Sequence, residues 1–241
     1  VAEELVPPSV YQALAAVAGL EKGRSAAKER DPVLPVDPQH FEAALPFLTA
    51  TVRALACFQR LTGCRPGEAC RLRADQIDRS GALWYYRPRR HKTAHRGKAR
   101  VVVIGPQAQA VIAPLLLAAG PDGYLFSPRR SVRAFREAQR AARKTRVQPS
   151  QADRSKADPK RSPRERYYRQ SYVTAVRRAC KKAGVPHWHP NQLRHLHATE
   201  VRKRYGLEGA QVALGHSKAD VTQVYAERDL ALAERIAREV G

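Results

Sequence analysis

Apolar side chains recur at three- and four-residue steps along most of this chain, and only two short runs cluster in the manner of strands. That pattern restricts the fold to a mostly α class with a small antiparallel β-sheet, an α+β arrangement. From Asp37 onward the apolar positions are Phe41, Leu45, Leu48, Val52, Leu55, Phe58 and Leu61. Asp37 suits the N-cap of this helix and Pro38 its first position. Pro46 falls inside the pattern and predicts a kink or a break into two helices. Residues 83–86 and 100–104 read as strands joined by a polar, basic connection, so a β-hairpin with a long tip is expected. Pro106 opens a helix running to Leu117, kinked at Pro114. Five helices are expected beyond it, over residues 171–183, 191–205, 208–214, 217–225 and 229–240. Gly215 stands where a left-handed residue ends the third of them.

Charge narrows the function classes. The 241 residues carry 44 Lys and Arg against 22 Asp and Glu, a net charge of +22, which calls for a polyanionic partner, nucleic acid first. Residues 129–169 hold 15 of the basic residues and four acids, half of the whole excess, and are expected to form a basic flexible insertion. The four cysteines, Cys57, Cys64, Cys70 and Cys180, make no C-x-x-C pair and read as reduced, mostly buried thiols of a cytoplasmic, nucleoid-associated protein. No apolar run has membrane-spanning length, so no membrane role is expected. The chain opens on Val rather than Met and is read as part of a longer protein. A short helical pattern over residues 10–17 precedes a basic, Pro-containing link, which marks a domain edge near residue 31.

Three separated segments carry the chemistry together: Thr62-Gly63-Cys64-Arg65-Pro66-Gly67-Glu68, Asn191-Gln192-Leu193-Arg194-His195, and Leu214-Gly215-His216 with Tyr225 nine residues later. In order and spacing they resemble the catalytic domain of the tyrosine recombinases, or phage-type integrases. The resemblance runs from about residue 32 to the end. The first segment matches the family's T-G-x-R-x-G-E box and the second its H-x-L-R-H box, while the third matches L-G-H followed by the nucleophile. The resemblance therefore implies the tyrosine recombinase catalytic-domain fold, with Arg65 and Arg194 as active-site arginines, His216 as a further phosphate contact and Tyr225 as the nucleophile. It also implies a hairpin lysine that protonates the departing 5′-oxygen: Lys92, in His91-Lys92-Thr93, or Lys98 in its place. Residues 1–31 would be the tail of the family's N-terminal DNA-clamping domain, and 32–241 the catalytic domain.

These residue types suit the reaction. Attack on a phosphodiester builds charge on the non-bridging oxygens, and two guanidiniums hold such oxygens as planar, permanently charged forks. A 3′-phosphotyrosine stores the bond energy, so rejoining needs neither a metal nor another cofactor. Glu68 lies one turn beyond Arg65 and is expected to orient or neutralise it. Arg90, Arg96 and Lys98 on the hairpin are expected to touch DNA. One position departs from the family: Asn191 stands where its box has histidine, and asparagine is no general base near neutral pH. Asn191 either donates its amide to the phosphate or caps the helix of Arg194; His189 or His195 would then offer a proton path. The dense group of His187, His189, His195 and His197 lacks a cysteine and has i,i+2 spacing, so metal binding is not expected, and His195 is read as supporting the arginine box.

The expected activity is site-specific cleavage and rejoining of double-stranded DNA in the recombination or integration of a mobile element. Two alternatives stay open: topoisomerase IB-like relaxation, and a DNA-binding relative with impaired catalysis. The apolar stripe of residues 229–240 either packs in its own chain or, as the resemblance implies, docks in a neighbour to build a homo-tetramer on paired sites.

Overall fold

The computed structural model of the chain describes residues 5–20, 23, 24, 26, 28, 32–90, 100–121, 123–149 and 162–215. The chain divides into two compact units, residues 1–33 and 34–241. The first contains one helix, α1 (Pro8–Ala15), whose Val10, Tyr11 and Leu14 are exposed.

In the second unit, Asp37 accepts a hydrogen bond from the Gln39 N–H at 2.7 Å and starts α2 (Pro38–Ala44), as its sequence position predicts. The expected interruption at Pro46 is a full break. Leu45–Phe47 tighten into a 3₁₀ turn, the chain extends at Leu48, and Thr49 caps a new helix, α3 (Ala50–Thr62). Helix α3 is the centre of the unit: Val52, Leu55, Ala56, Phe58, Gln59 and Thr62 are all buried. A four-residue helix, α4 (Pro66–Ala69), follows it directly.

The sheet is antiparallel in the order β1 (Ile77–Asp78), β2 (Trp84–Tyr86), β3 (Val102–Ile104). Ile77 pairs with Tyr86, and Tyr86 with Val102, so the buried side chains of the three strands line up in one row. β1 is a strand the sequence does not announce, because two residues are too few to display alternation. The tip of the hairpin, residues 91–99, lies outside the described residues.

Helix α5 (Pro106–Ala119) packs on α3 and carries Pro114 within it, as expected. The basic stretch then departs from expectation, since its first part is not a flexible loop. Ser127 caps α6 (Pro128–Ala141), a 14-residue helix. Arg, Ala, Gln and Glu favour the helix, no Gly or Pro interrupts it after Pro128, and Arg133 and Glu137 face each other at 3.7 Å. Positive charge is compatible with a solvated helix when one face carries it. Residues 150–161 lie outside the described residues, and the chain resumes at Ser162 before α7 (Arg169–Ala183), which packs on α2.

The last described element is α8 (Pro190–Leu214), packed along α3. Gly206, at φ 72° and ψ −173°, breaks its helical geometry between the two segments predicted as separate helices. No helix among the described residues is long and apolar enough to cross a membrane.

Leu55 is fully buried in the middle of α3, the helix that packs against both α5 and α8. Leu55→Ala should therefore cost about 2–5 kcal/mol, read as a lower midpoint in urea unfolding at unchanged slope.

Candidate active site

The site is assembled where α3 ends, α4 begins and both ends of α8 return. Gly63 terminates α3 at φ 60°, in the left-handed region. It is also a close approach, because a Cβ there would run into the His197 ring of α8. The turn thus delivers Cys64 to the interior and Arg65 to the N-cap of α4. The buried Cys64 and Cys70 thiols are both pushed up to about 12, chiefly by burial, so neither is a nucleophile beside Arg65.

Glu68 does what its position predicts. One carboxylate oxygen accepts the Arg65 backbone N–H at 2.9 Å, and the other accepts the Arg65 guanidinium at 3.0 Å. The same bonds close the start of α4 and fix the direction of Arg65, whose side chain keeps 30% exposure and is reachable from solvent. Burial pulls the Glu68 carboxyl upward, but the Arg100 charge and the Arg65 hydrogen bonds outweigh it and hold it below the ordinary range.

Arg100 is the residue that sequence reasoning missed. It stands just before β3 and is buried, with its Nε 3.7 Å from Glu68. The signal was present: Arg100, Val102 and Ile104 fall on one face by alternation, and all three are buried. Glu68 is therefore flanked by two guanidiniums, those of Arg65 and Arg100. The Arg100 guanidinium also lies against Gly215, at φ 62°, where a Cβ would collide with it. Glycine in the Leu214-Gly215-His216 segment thus answers to both conformation and space.

Arg194 is 2% exposed, and its donors point along the backbone. Nη1 donates to the Gly63 carbonyl at 2.6 Å and Nη2 to the Leu214 carbonyl at 2.9 Å. One guanidinium thereby ties the first-arginine turn to the segment that leads into His216. Two further contacts hold α8 on α3. Gln59 donates to the Pro190 carbonyl at 2.8 Å, and Arg60 forms a double bond pair with Glu200 at 2.6 Å.

Asn191 does not cap α8. The N-cap is His189, whose N–H donates to Gln192 at 2.8 Å, with Pro190 in the first helical position. Asn191 sits one position further in, and its amide donates to His195 Nε2 at 2.9 Å. An amide nitrogen only donates, so this bond requires His195 to be neutral at Nε2. Burial, then the Arg194 charge, lower the His195 pKa and favour the same state. His187 and His189 stack edge to face at 4.5 Å, while Trp188 between them packs on Phe41. Among the described residues no group of three His, Cys, Asp or Glu side chains is arranged to hold a metal.

Arg90 lines an arginine-rich cavity with Arg71, Arg73, Arg89 and Arg166. Lys92, Arg96, Lys98, His216, Tyr225 and the helix expected over 229–240 lie outside the described residues.

A sequence model of the phage integrase family matches residues 41–231. The chain belongs to the phage integrase family. No curated protein sequence matches this chain significantly. Among solved structures, XerA recombinase is similar at a TM-score of 0.58 and 21% identity, over 88% of this chain and 67% of that one. XerH site-specific recombinase, in a post-cleavage complex with a palindromic difH substrate, gives 0.58 at 18% identity, over 93% of this chain and 57% of its own. A lambda integrase tetramer bound to a Holliday junction gives 0.58 at 15% identity, over 91% of this chain and 56% of its own. The chain thus has the tyrosine recombinase catalytic-domain fold and spans little more than half of the XerH and lambda integrase chains.

Lysine offers its donors at a single point and cannot bridge two separated carbonyls as Arg194 does. Arg194→Lys should lower stability by about 1–3 kcal/mol in urea unfolding, with the buried carbonyls left unpaired. A pH dependence follows from the histidines of α8. Burial lowers His197 as well as His195 from the ordinary 6.5. The unfolded chain then binds more protons than the folded one below that value, so stability is present above it and falls as pH drops through the lowered folded values. Unfolding at a series of pH values should show this loss, and His197→Gln should make it smaller.

Proposed function

We propose that this chain is the catalytic portion of a site-specific DNA recombinase that cleaves and rejoins duplex DNA through a 3′-phosphotyrosine on Tyr225. The observation that carries the reading is the bridge made by Arg194. It brings the turn of the first arginine, the second arginine and the segment before His216 into one place, although 131 residues separate Gly63 from Arg194. Family membership and the likeness to DNA-bound recombinases support the same reading.

In this mechanism Arg65, together with Arg194 donors other than those given to the Gly63 and Leu214 carbonyls, holds the non-bridging oxygens of the scissile phosphate, and His216 adds a hydrogen bond. The Tyr225 phenol gives up its proton to solvent as its oxygen attacks phosphorus, the bond to the 5′-oxygen breaks, and Lys92, or Lys98 in its place, gives that oxygen a proton. The reverse attack by a 5′-hydroxyl releases Tyr225 and reseals the strand without an external energy source. Glu68 keeps Arg65 aimed. Asn191 acts through His195, holding its tautomer, and the pair stands in for the histidine usual at that position. Arg90, Arg96 and Lys98 contact the DNA backbone. Residues 1–31 are the end of a DNA-clamping domain, and the stripe over 229–240 docks in a neighbouring protomer to build a tetramer on paired sites; the tetrameric relative is in keeping with this. A recombinase of this kind works in the cytoplasm, on the nucleoid.

Incubation with a nicked suicide substrate carrying its own recombination site should trap a covalent protein–DNA adduct. Tyr225→Phe should form none, and Arg65→Gln should form it about 100- to 1000-fold more slowly. An absent adduct with the unaltered chain would overturn the proposal. Relaxation of a supercoiled plasmid without exchange between two sites would move it to a topoisomerase.

A further inference from the structure

Guanidiniums and phenol rings alternate in a row made by Arg73, Tyr124, Arg166, Tyr168 and Arg164. Arg73 lies 5.5 Å from the Tyr124 ring centroid, and Arg166 lies 5.8 Å from the same ring. Arg166 lies 4.1 Å from the Tyr168 ring, and Arg164 lies 4.7 Å from it. The order is therefore Arg73, Tyr124, Arg166, Tyr168, Arg164.

The stack is anchored to the backbone at both ends. Arg73 and Tyr124 form a β-bridge, and the Leu125 N–H donates to the Leu72 carbonyl at 2.9 Å. At the other end the Arg129 N–H donates to the Arg164 carbonyl at 3.3 Å, which holds the returning basic segment against the start of α6. The inner part of the stack borders a cavity of about 410 Å³ lined by Arg71, Arg73, Arg89, Arg90, Arg166 and Tyr124. Asp75 is the acid paired there, at 3.3 Å from Arg73 and 3.0 Å from Arg89.

Among the described residues, five guanidiniums line this cavity with Asp75 between two of them, and guanidiniums so placed repel one another, so a further anion would relieve the repulsion. A guanidinium held over an aromatic ring still has N–H donors to offer an oxygen acceptor. The ring also restricts the side chain beforehand, so less rotamer entropy is lost when an anion binds. Because the charges form a row rather than one point, they suit a repeating anion.

We propose that this ladder is a second phosphate-binding surface, which holds the backbone of duplex DNA flanking the cleaved bond. It rests on the reading of the chain as a DNA recombinase but takes no part in the chemistry at Tyr225. The row lies where the basic stretch returns to the domain, so this unusual stretch has a binding role.

The test compares the unaltered chain with Arg164→Gln/Arg166→Gln and with Tyr168→Leu, using a random-sequence duplex and fluorescence anisotropy across a salt series. The double variant should bind several-fold more weakly, and its plot of log affinity against log salt should be shallower by roughly 0.9 for each phosphate it no longer neutralises. Tyr168→Leu keeps every charge and should still weaken binding several-fold because the stack is broken. Both variants should keep the thermal midpoint of the parent and its rate of adduct formation at saturating DNA. An unchanged slope in the double variant, or unchanged affinity in Tyr168→Leu, would overturn the proposal. So would a weakening confined to single-stranded DNA or RNA. A missing covalent adduct in the unaltered chain would instead count against the recombinase reading and leave this salt comparison standing.

Discussion

One buried guanidinium ties the turn that carries Arg65 to the end of α8. Arg194 donates to the carbonyls of Gly63 and Leu214, one at the end of α3 and the other at the end of α8. Each carbonyl closes a helix end and would otherwise be left with no partner from its own helix. Burying an arginine is tolerable when its donors meet fixed acceptors, and here those acceptors are the backbone itself. The result couples the fold to the proposed chemistry: moving α8 along α3 would shift the Arg65 turn and the approach to His216 together. The pairs Gln59–Pro190 and Arg60–Glu200 oppose such a slide.

The balance of charge around Arg65 follows from a second buried group. Glu68 accepts from Arg65 and lies beside Arg100, so one carboxylate stands between two guanidiniums. That leaves the cluster net positive, as a site for a phosphodiester requires. It also makes α4 more than a short helix, because the bond that caps it is the one that aims Arg65. Gly63 and Gly215 complete the arrangement. Both adopt positive φ, and at both a side chain would meet a residue from a distant segment, His197 or Arg100.

Much of the helical framework was legible because it follows from spacing and capping alone. The start at Asp37, the break near Pro46, and the interruption at Gly206 between two helical segments all depend on residues within one or two turns of each other. The pairing of Glu68 with Arg65 was readable for the same reason. In the basic stretch charge is a poor guide, because helix propensity outweighs it there. Its first part is α6, and its return forms the stack on Tyr124 and Tyr168. No local pattern announces that stack, since Arg73 and Arg164 are far apart in the chain.

The sequence by itself determined the mostly helical class, the family, and the residue types available for the proposed reaction. These rest on periodicity and on motifs whose order survives without coordinates. The tertiary structure alone decided what each charged group faces. It put Arg100 beside Glu68, turned Arg194 onto two carbonyls, and gave Asn191 to His195 rather than to the cap of α8. Asn191 and His195 lie one helical turn apart, and only the placement of the N-cap at His189 frees the amide for that bond. For the guanidiniums the physical reason is that burial and pairing depend on contacts between separate segments of the chain, as with Gly63 and Arg194. Whether a guanidinium is buried or solvated, and what it pairs with, is set by those contacts and not by its neighbours in the chain.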